Sequence, residues 1–504
     1  MTRAVLRGSL LLGALLLPGG RAAGQAFWQP DERVVISDFT RVVGVAADAW
    51  RVMAATEHGL LLYDPLARTW QAPLTIEDGY PVPERPTSLG WIERAHTLLL
   101  GTWTGSLWRI DVEGRRIERL AQLPGAILAI RGDAEGNAYL GTRNGWFRLP
   151  PGSFSPEPAA APPAERGADD PILEAMRGQL GVDRALRRWP VTSQAAGRLP
   201  GEYYIGTDGG GLARVDTRMQ SVEWLPFGIT TRGGGAIGVV GGRLWLGGDG
   251  TERQRPSLVS ATPALQDWLA AEEGDAPRGA VTAIVEQEGT AWVGTSDGLF
   301  RYDRERRAWR RFDDGDGLPT ETVRALLADG NALWVATSRG FCRFEAQRCG
   351  PNLLPAQPVH ALAACGGRVW AAARNGLFTS SGSEAARPAS LARTRTRIQD
   401  VACIGERVFA ATQDQLLEQR PDGWQERAVP RPQGALHALV SAAGELWIGA
   451  DRWVGRWDAA TGEWSHYIVP SDVPHGPIQD ILPLPSALWL VTPGGMVRLD
   501  LQPQ

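Results

Sequence analysis

Apolar and polar positions fall into short blocks along this chain, and one block recurs eleven times. In its clearest copy, Ala291 to Asp303, an apolar strand ends in Gly294-Thr295, a turn closes on Asp297-Gly298, and a second strand runs Leu299-Phe300-Arg301-Tyr302. Related blocks hinge on Thr56, Thr102, Thr142, Thr207, Gly248, Thr295, Thr337, Ala373, Thr412, Ala450 and Thr492. A self-similar period of roughly forty residues with two strands visible per unit predicts a β-propeller. The first strand is apolar throughout, as suits a strand covered on both faces by neighbouring blades. An aromatic stands three residues before the hinge at Tyr139, Tyr204, Trp245, Trp292, Trp334, Trp370, Phe409, Trp447 and Trp489, and these read as core. The small residue before the hinge leaves room for close backbone approach. Turns such as Asn144-Gly145, Asp297-Gly298 and Asn375-Gly376 tolerate the positive φ of tight hairpins.

Between hinges, Phe312-Asp313-Asp314-Gly315-Asp316-Gly317-Leu318-Pro319 runs into the apolar Val323-Arg324-Ala325-Leu326-Leu327. This reads as an outer strand, a crossing, and the innermost strand of the next blade; Ile76 to Pro81 is a second such crossing. Each blade is then four antiparallel strands, and the fold class is all-β. The Asp316-Gly317-Leu318-Pro319 crossing, the Leu333-Trp334-Val335-Ala336-Thr337 strand and the Gly298-Leu299-Phe300-Arg301-Tyr302-Asp303 strand resemble two-component regulator propeller repeats. The resemblance covers most of residues 41–500, strongly in repeats six and seven and weakly in five, eight and nine. It implies a sensor-type region, often periplasmic, here without the membrane helix and kinase that frequently follow such repeats.

The last repeat shows three strands, ending at Met496 to Asp500, and Glu32 to Ser37 precedes the first full repeat without a blade of its own. This segment is expected to supply the missing outer strand, because an unpaired edge is a liability. Eleven blades exceed the usual four to eight per ring. Two rings of about five or six are therefore expected. One would be discontinuous, joining repeats one to three with the last three, and the other inserted; one very large ring is the alternative. Residues 151–168 are rich in Pro and Ala, which suits a stiff linker. Asp170 and Pro171 then open an apolar stripe of Ile172, Leu173, Met176 and Leu180 at helical spacing, ended by Gly181. This insertion reads as a helix bridging two rings, or else as a lid. The organisation expected is a signal over 1–24, the closing strand and blades one to three over 25–150, the insertion over 151–190, and blades four to eleven over 191–504.

Composition refines the compartment. Arg3 and Arg7, the apolar run Leu10 to Leu17 and small residues to Gly24 form a secretory signal, too short to span a bilayer. With no later apolar span and no Cys after the signal for a lipid anchor, a periplasmic or extracellular protein is expected. The net charge of −4 becomes more acidic once the signal's arginines are removed, which gives no reason to expect nucleic acid. All 52 basic residues are Arg, so Schiff-base and phosphate-loop chemistry through Lys is excluded. In an oxidising compartment Cys342 and Cys349 face each other across a short turn, and Cys365 and Cys403 occupy matching places in adjacent repeats. Two disulfides are one reading; buried unpaired thiols are the other.

Catalytic patterns fail their context. Gly294-Thr295-Ser296-Asp297-Gly298 fits a nucleophile elbow but lies between two strands of a hairpin. The glycines of 233–238 lead into a strand, so they do not make a dinucleotide loop. The six His show no metal spacing, and Asp313, Asp314 and Asp316 lack the rest of a calcium loop. No metal and no cofactor is expected. What varies between repeats lies inside the turns. Trp103, Arg143, Asn144, Asp208, Asp297, Arg339, Arg374, Asn375 and Arg452 are therefore the candidate ligand-binding residues, with solvated turns as the alternative. The function expected is an exported, non-enzymatic binding module, a detached sensor for a glycan, peptide or protein. A structural scaffold of a cell-envelope assembly, and a lyase or hydrolase with a channel active site, are the alternatives.

Overall fold

The computed structural model describes residues 33–162, 188–230, 232–250, 256–271, 276–382, 384–389, 397–430, 434–468 and 476–501. The signal segment and the helical stretch after Asp170 lie outside them. Eleven antiparallel sheets account for the described chain, ten of four strands and one of five. In ten of them the strands run in sequence order, so each blade is a meander. The exception holds the last three strands together with Arg33–Ile36, whose register runs from Arg33 opposite Leu499 to Ile36 opposite Met496. The closing strand thus fills the edge that the final repeat leaves open.

The innermost strands define two groups of blades. Val42–Ala47 packs against Pro86–Ile92 on one side and Val191–Ala196 on the other, and Pro86–Ile92 packs against Ile127–Gly132. All four line one channel of about 760 Å³. From Arg232–Val240 the contacts run blade by blade to Asp480–Leu484 and return to Arg232–Val240, enclosing a second channel of about 790 Å³. The division is therefore four blades (42–225) and seven (232–500 with Arg33–Ile36), not five and six. The four-bladed group sits as an excursion between the closing strand and the ring it closes. The expected joining of the first three repeats to the last three fails for a steric reason. Val42 packs on Gly206 of blade four, where an added Cβ would lie 2.3 Å from Val42 Cγ1. One apolar cluster holds the two groups together: Ile36, Phe39, Val42, Tyr204, Ile237, Leu244, Trp489 and Met496 all belong to it.

Within a blade the spelling of the repeat is explained by packing. The glycine before the hinge receives the first residue of the next blade's inner strand; at Gly294 an added Cβ would meet Val323 Cγ1 at 2.6 Å. The aromatic three residues before the hinge is buried at Tyr204, Trp245, Trp292, Trp334, Trp370, Phe409, Trp447 and Trp489. Glu157–Ala159, inside the Pro-rich stretch read as linker, is the outer strand of blade three. Pro158 is tolerated there because an edge strand leaves its missing N–H without consequence. Disulfides join Cys342 to Cys349 within blade seven and Cys365 to Cys403 across blades eight and nine, each with Cα atoms 5.7 Å apart.

Candidate functional site

The hinge turns are self-contained. The Thr295 hydroxyl donates to the Gly298 carbonyl at 2.9 Å and accepts from the Asp297 N–H. Thr56, Thr142, Thr337 and Thr492 make the same bond to the residue three positions on. A single hydroxyl thus satisfies both partners of a two-residue turn, which leaves the turn's own side chains free to vary.

The inner strands end at the same face as these turns, because their first residue pairs with the hinge, as Val323 does with Thr337. Just after that residue the ladder slips by one position in blade after blade. An inner strand's channel-side edge carries backbone groups that need partners, and the preceding blade supplies them. Hydroxyls of Thr87, Thr192 and Thr282 donate to the carbonyls of Ile127, Val42 and Val323. His360 does the same through Nε2 to the Ile398 carbonyl, which assigns its tautomer. One position further on, Ser193 Oγ accepts from Val45 N at 2.9 Å, Asp400 Oδ2 from Leu439 N at 2.7 Å, and Asp480 from Ile237 N. Asp480 and Ser193 therefore latch the first and last blades of their respective groups.

Of these latches Thr282, His360, Asp400 and Asp480 line the mouth of the seven-bladed channel, together with Arg324, Arg397, Gln399, His437 and Gln479. Burial pushes the Asp400 carboxyl up to about 7 against the pull of two N–H donors, and pushes Asp480 up to about 6. Burial also holds His360 below the ordinary imidazole value, with the guanidiniums of Arg397 and Arg324 acting the same way from nearby. His437 Nε2 lies 2.6 Å from Asp451 Oδ1, and Asp451 Oδ2 accepts from Ala435 N. The hydrogen bond from His437 is the main cause of that carboxyl's lowered pKa. The mouth is thus polar, structured and open to the turn face.

The nine turn residues singled out by sequence do not form one site. Trp103, Arg143, Asn144 and Asp208 belong to the four-bladed group, and Asp297, Arg339, Arg374, Asn375 and Arg452 to the seven-bladed ring. The fold brings Trp103 and Arg143 together from adjacent blades, the guanidinium 5.1 Å from the ring centroid, with Trp103 49% exposed. Asn144 donates to the Pro124 carbonyl and so anchors a crossing. Asp208 is paired with Arg41, which also holds Glu57. Asp297 accepts from the hydroxyl of its own hinge Thr295. Arg339, Arg374, Asn375 and Arg452 are exposed. The channel residues were not singled out from the sequence. Their signal was there as polar residues at the second and third places of inner strands that are otherwise apolar. Asp313, Asp314 and Glu321 bring carboxylate oxygens within 4.8 Å of one another. Arg311 pairs with Asp313 and Glu321, which accounts for the cluster as an ion-pair network.

No protein-family profile matches the chain, and no curated protein matches it. Among solved structures the chain is similar to the extracellular domain of a hybrid two-component system of B. thetaiotaomicron, BT3049. That match has 13% identity and a TM-score of 0.45, and covers 91% of this chain and 68% of that one. It is also similar to the extracellular domain of a one-component system of the same organism, BT4673. Here identity is 14% and the TM-score 0.46, with 95% and 83% covered. A virginiamycin B lyase from Staphylococcus aureus matches 54% of this chain over 96% of its own, at 12% identity and a TM-score of 0.44. The blade order is what establishes the propeller here. Among the described residues no helix is long and apolar enough to cross a membrane.

Proposed function

We propose that this chain is an exported, non-enzymatic binding module whose ligand docks at the mouth of the seven-bladed channel, on the turn face. The observation behind this is the convergence there of His360, His437, Gln399, Gln479, Arg324 and Arg397 around a cavity of about 790 Å³. That is within the roughly 300–1,000 Å³ of common ligand sites. His360, His437, Asp400 and Asp480 are held there by hydrogen bonds, so part of the site is organised before a ligand arrives. The ligand is a glycan, peptide or protein segment, and sensing on behalf of a separate signalling protein is the role that fits the repeat resemblance. A periplasmic or extracellular location goes with this reading.

The test is a thermal-shift screen of glycans and peptides against the parent chain and Gln479→Trp, which fills the mouth at an exposed position. A ligand present at about a hundred times its Kd stabilises by about 2.7 kcal/mol, and Gln479→Trp should remove that shift. Hits that shift both proteins equally would place binding elsewhere and sink the proposal.

A further inference from the structure

The turn face of the seven-bladed ring carries a charge pattern that the chain's composition does not account for. Blades six to ten contribute Arg278, Arg324, Arg339, Arg374, Arg397 and Arg452, all exposed. Among the described residues none of the six makes an ion pair. Several other arginines of the ring are engaged, although Arg301, Arg307, Arg348, Arg368 and Arg387 also make no ion pair among the described residues. Arg407, Arg420 and Arg427 surround the buried carboxylate of Glu418, Arg456 pairs with Glu445, and Arg343 with Glu345. Three acids of the turn face are occupied locally: Asp297 by Thr295, Asp414 by Thr412, and Asp451 by His437. The crossing after blade six adds Asp313, Asp314 and Glu321 beside Arg311, to one side of the mouth. What distinguishes the mouth is a local group of cations: Arg324 and Arg397 lie close enough to His360 to act on it electrostatically.

Two of the six reach the channel itself. Arg324 and Arg397 share its wall with His360, His437, Gln399 and Gln479, and with the carboxyls of Asp400 and Asp480, which burial holds above the ordinary carboxylate range. Arg324 takes the second place of its inner strand, where Thr282 and His360 serve as latches, yet it makes no bond to the next blade's carbonyl. Its guanidinium is therefore available. Guanidinium presents a planar fork of donors that matches phosphate and carboxylate in bidentate geometry. Several such forks around a concave mouth focus the field on one spot.

We infer that the mouth of the seven-bladed ring is an anion site that takes a compact ligand bearing two or more phosphate, sulfate or carboxylate groups. This rests on the proposed binding role of that mouth and names the chemistry of its ligand. Arg324 and Arg397 hold the group that enters the channel, beside His360 and the amides of Gln399 and Gln479. Arg339, Arg374 and Arg452 meet the groups left at the rim.

The experiment is calorimetric titration of the full chain with tripolyphosphate, with citrate, and with maltotriose as a neutral control. Each is run in about 20 mM and about 300 mM NaCl, between which the screening length falls from roughly 20 Å to under 10 Å. The variants are Arg324→Gln/Arg397→Gln and, on the opposite face, Arg307→Gln. At least one polyanion should bind in low salt and weaken about tenfold in high salt. It should weaken by about tenfold or more in the double variant while leaving Arg307→Gln unchanged. Tripolyphosphate alone binding marks phosphate or sulfate as the partner chemistry, citrate alone marks carboxylate. Equal binding to all three proteins would overturn the site, because the attraction would then be diffuse. Failure of both polyanions, with a neutral ligand still shifted by Gln479→Trp, would overturn the anion chemistry and leave the mouth as a binding site. Failure of every ligand would overturn both.

Discussion

Ile36→Ala tests how the seven-bladed ring is closed. Ile36 is fully buried, lies opposite Met496 in the closing strand, and belongs to the cluster that contains Trp489, Phe39 and Ile237. Removing its branched side chain forfeits the transfer term and leaves a cavity against partners fixed by two blade groups, about 2–5 kcal/mol for Ile to Ala. The upper half of that range applies, because the neighbours belong to different blades and cannot collapse together. For a cooperative unit of this size 1 kcal/mol shifts Tm by roughly 2–4 °C, so a fall of about 7–20 °C is expected. Val34→Ala, at a half-buried position of the same strand, is the control and should cost under about 1 kcal/mol. Thermal melts followed by circular dichroism and by tryptophan fluorescence measure both. A melting temperature for Ile36→Ala within a degree or two of the parent would refute closure by this strand.

The two half-buried channel acids, Asp400 and Asp480, give a pH dependence. Folding raises Asp400 from 3.8 to about 7 and Asp480 from 3.8 to about 6, so the folded state holds protons that the unfolded chain has released. Their contribution is complete below the unfolded value and is lost as pH rises through the folded ones. His360, whose pKa burial lowers, acts in the opposite sense, so the readout is the difference between the parent and Asp480→Asn. Urea midpoints from pH 5 to 8 should show the parent losing ground to the variant, and parallel curves would contradict the assignment. The disulfides should differ in worth: the chain-entropy estimate for loops of 38 and 7 residues is about 4 and about 2 kcal/mol. Melts of Cys365→Ala/Cys403→Ala against Cys342→Ala/Cys349→Ala check the order, which reversed values would refute. Thr337→Val removes the hydroxyl that serves Gly340 O and Arg339 N in a buried hinge. A loss of about 1–3 kcal/mol in a denaturant titration is expected, and a neutral result would show the turn holds without it.

The propeller and its repeat spelling were legible in the sequence because each letter answers a constraint that recurs in every blade. The aromatic fills the layer between sheets, the glycine receives the next blade's first residue, and the threonine closes a two-residue turn. Even the surplus segment around Arg33–Ile36 could be read, since a three-stranded last repeat leaves one edge to be paired. Other features depend on which blades become neighbours, and nothing local records that. Four blades separate from seven because Val42 meets Gly206 rather than the last repeat, a contact between residues far apart in the chain. The turn residues from Trp103 to Arg452 share a spelling but are divided between two channels for the same reason. Convergence is equally invisible along the sequence. Asp400, Asp480, His360 and His437 stand in four different repeats, each an isolated polar residue on an apolar strand. Ring closure alone brings them around one mouth, where burial and neighbouring charge set their protonation and where unpaired arginines collect.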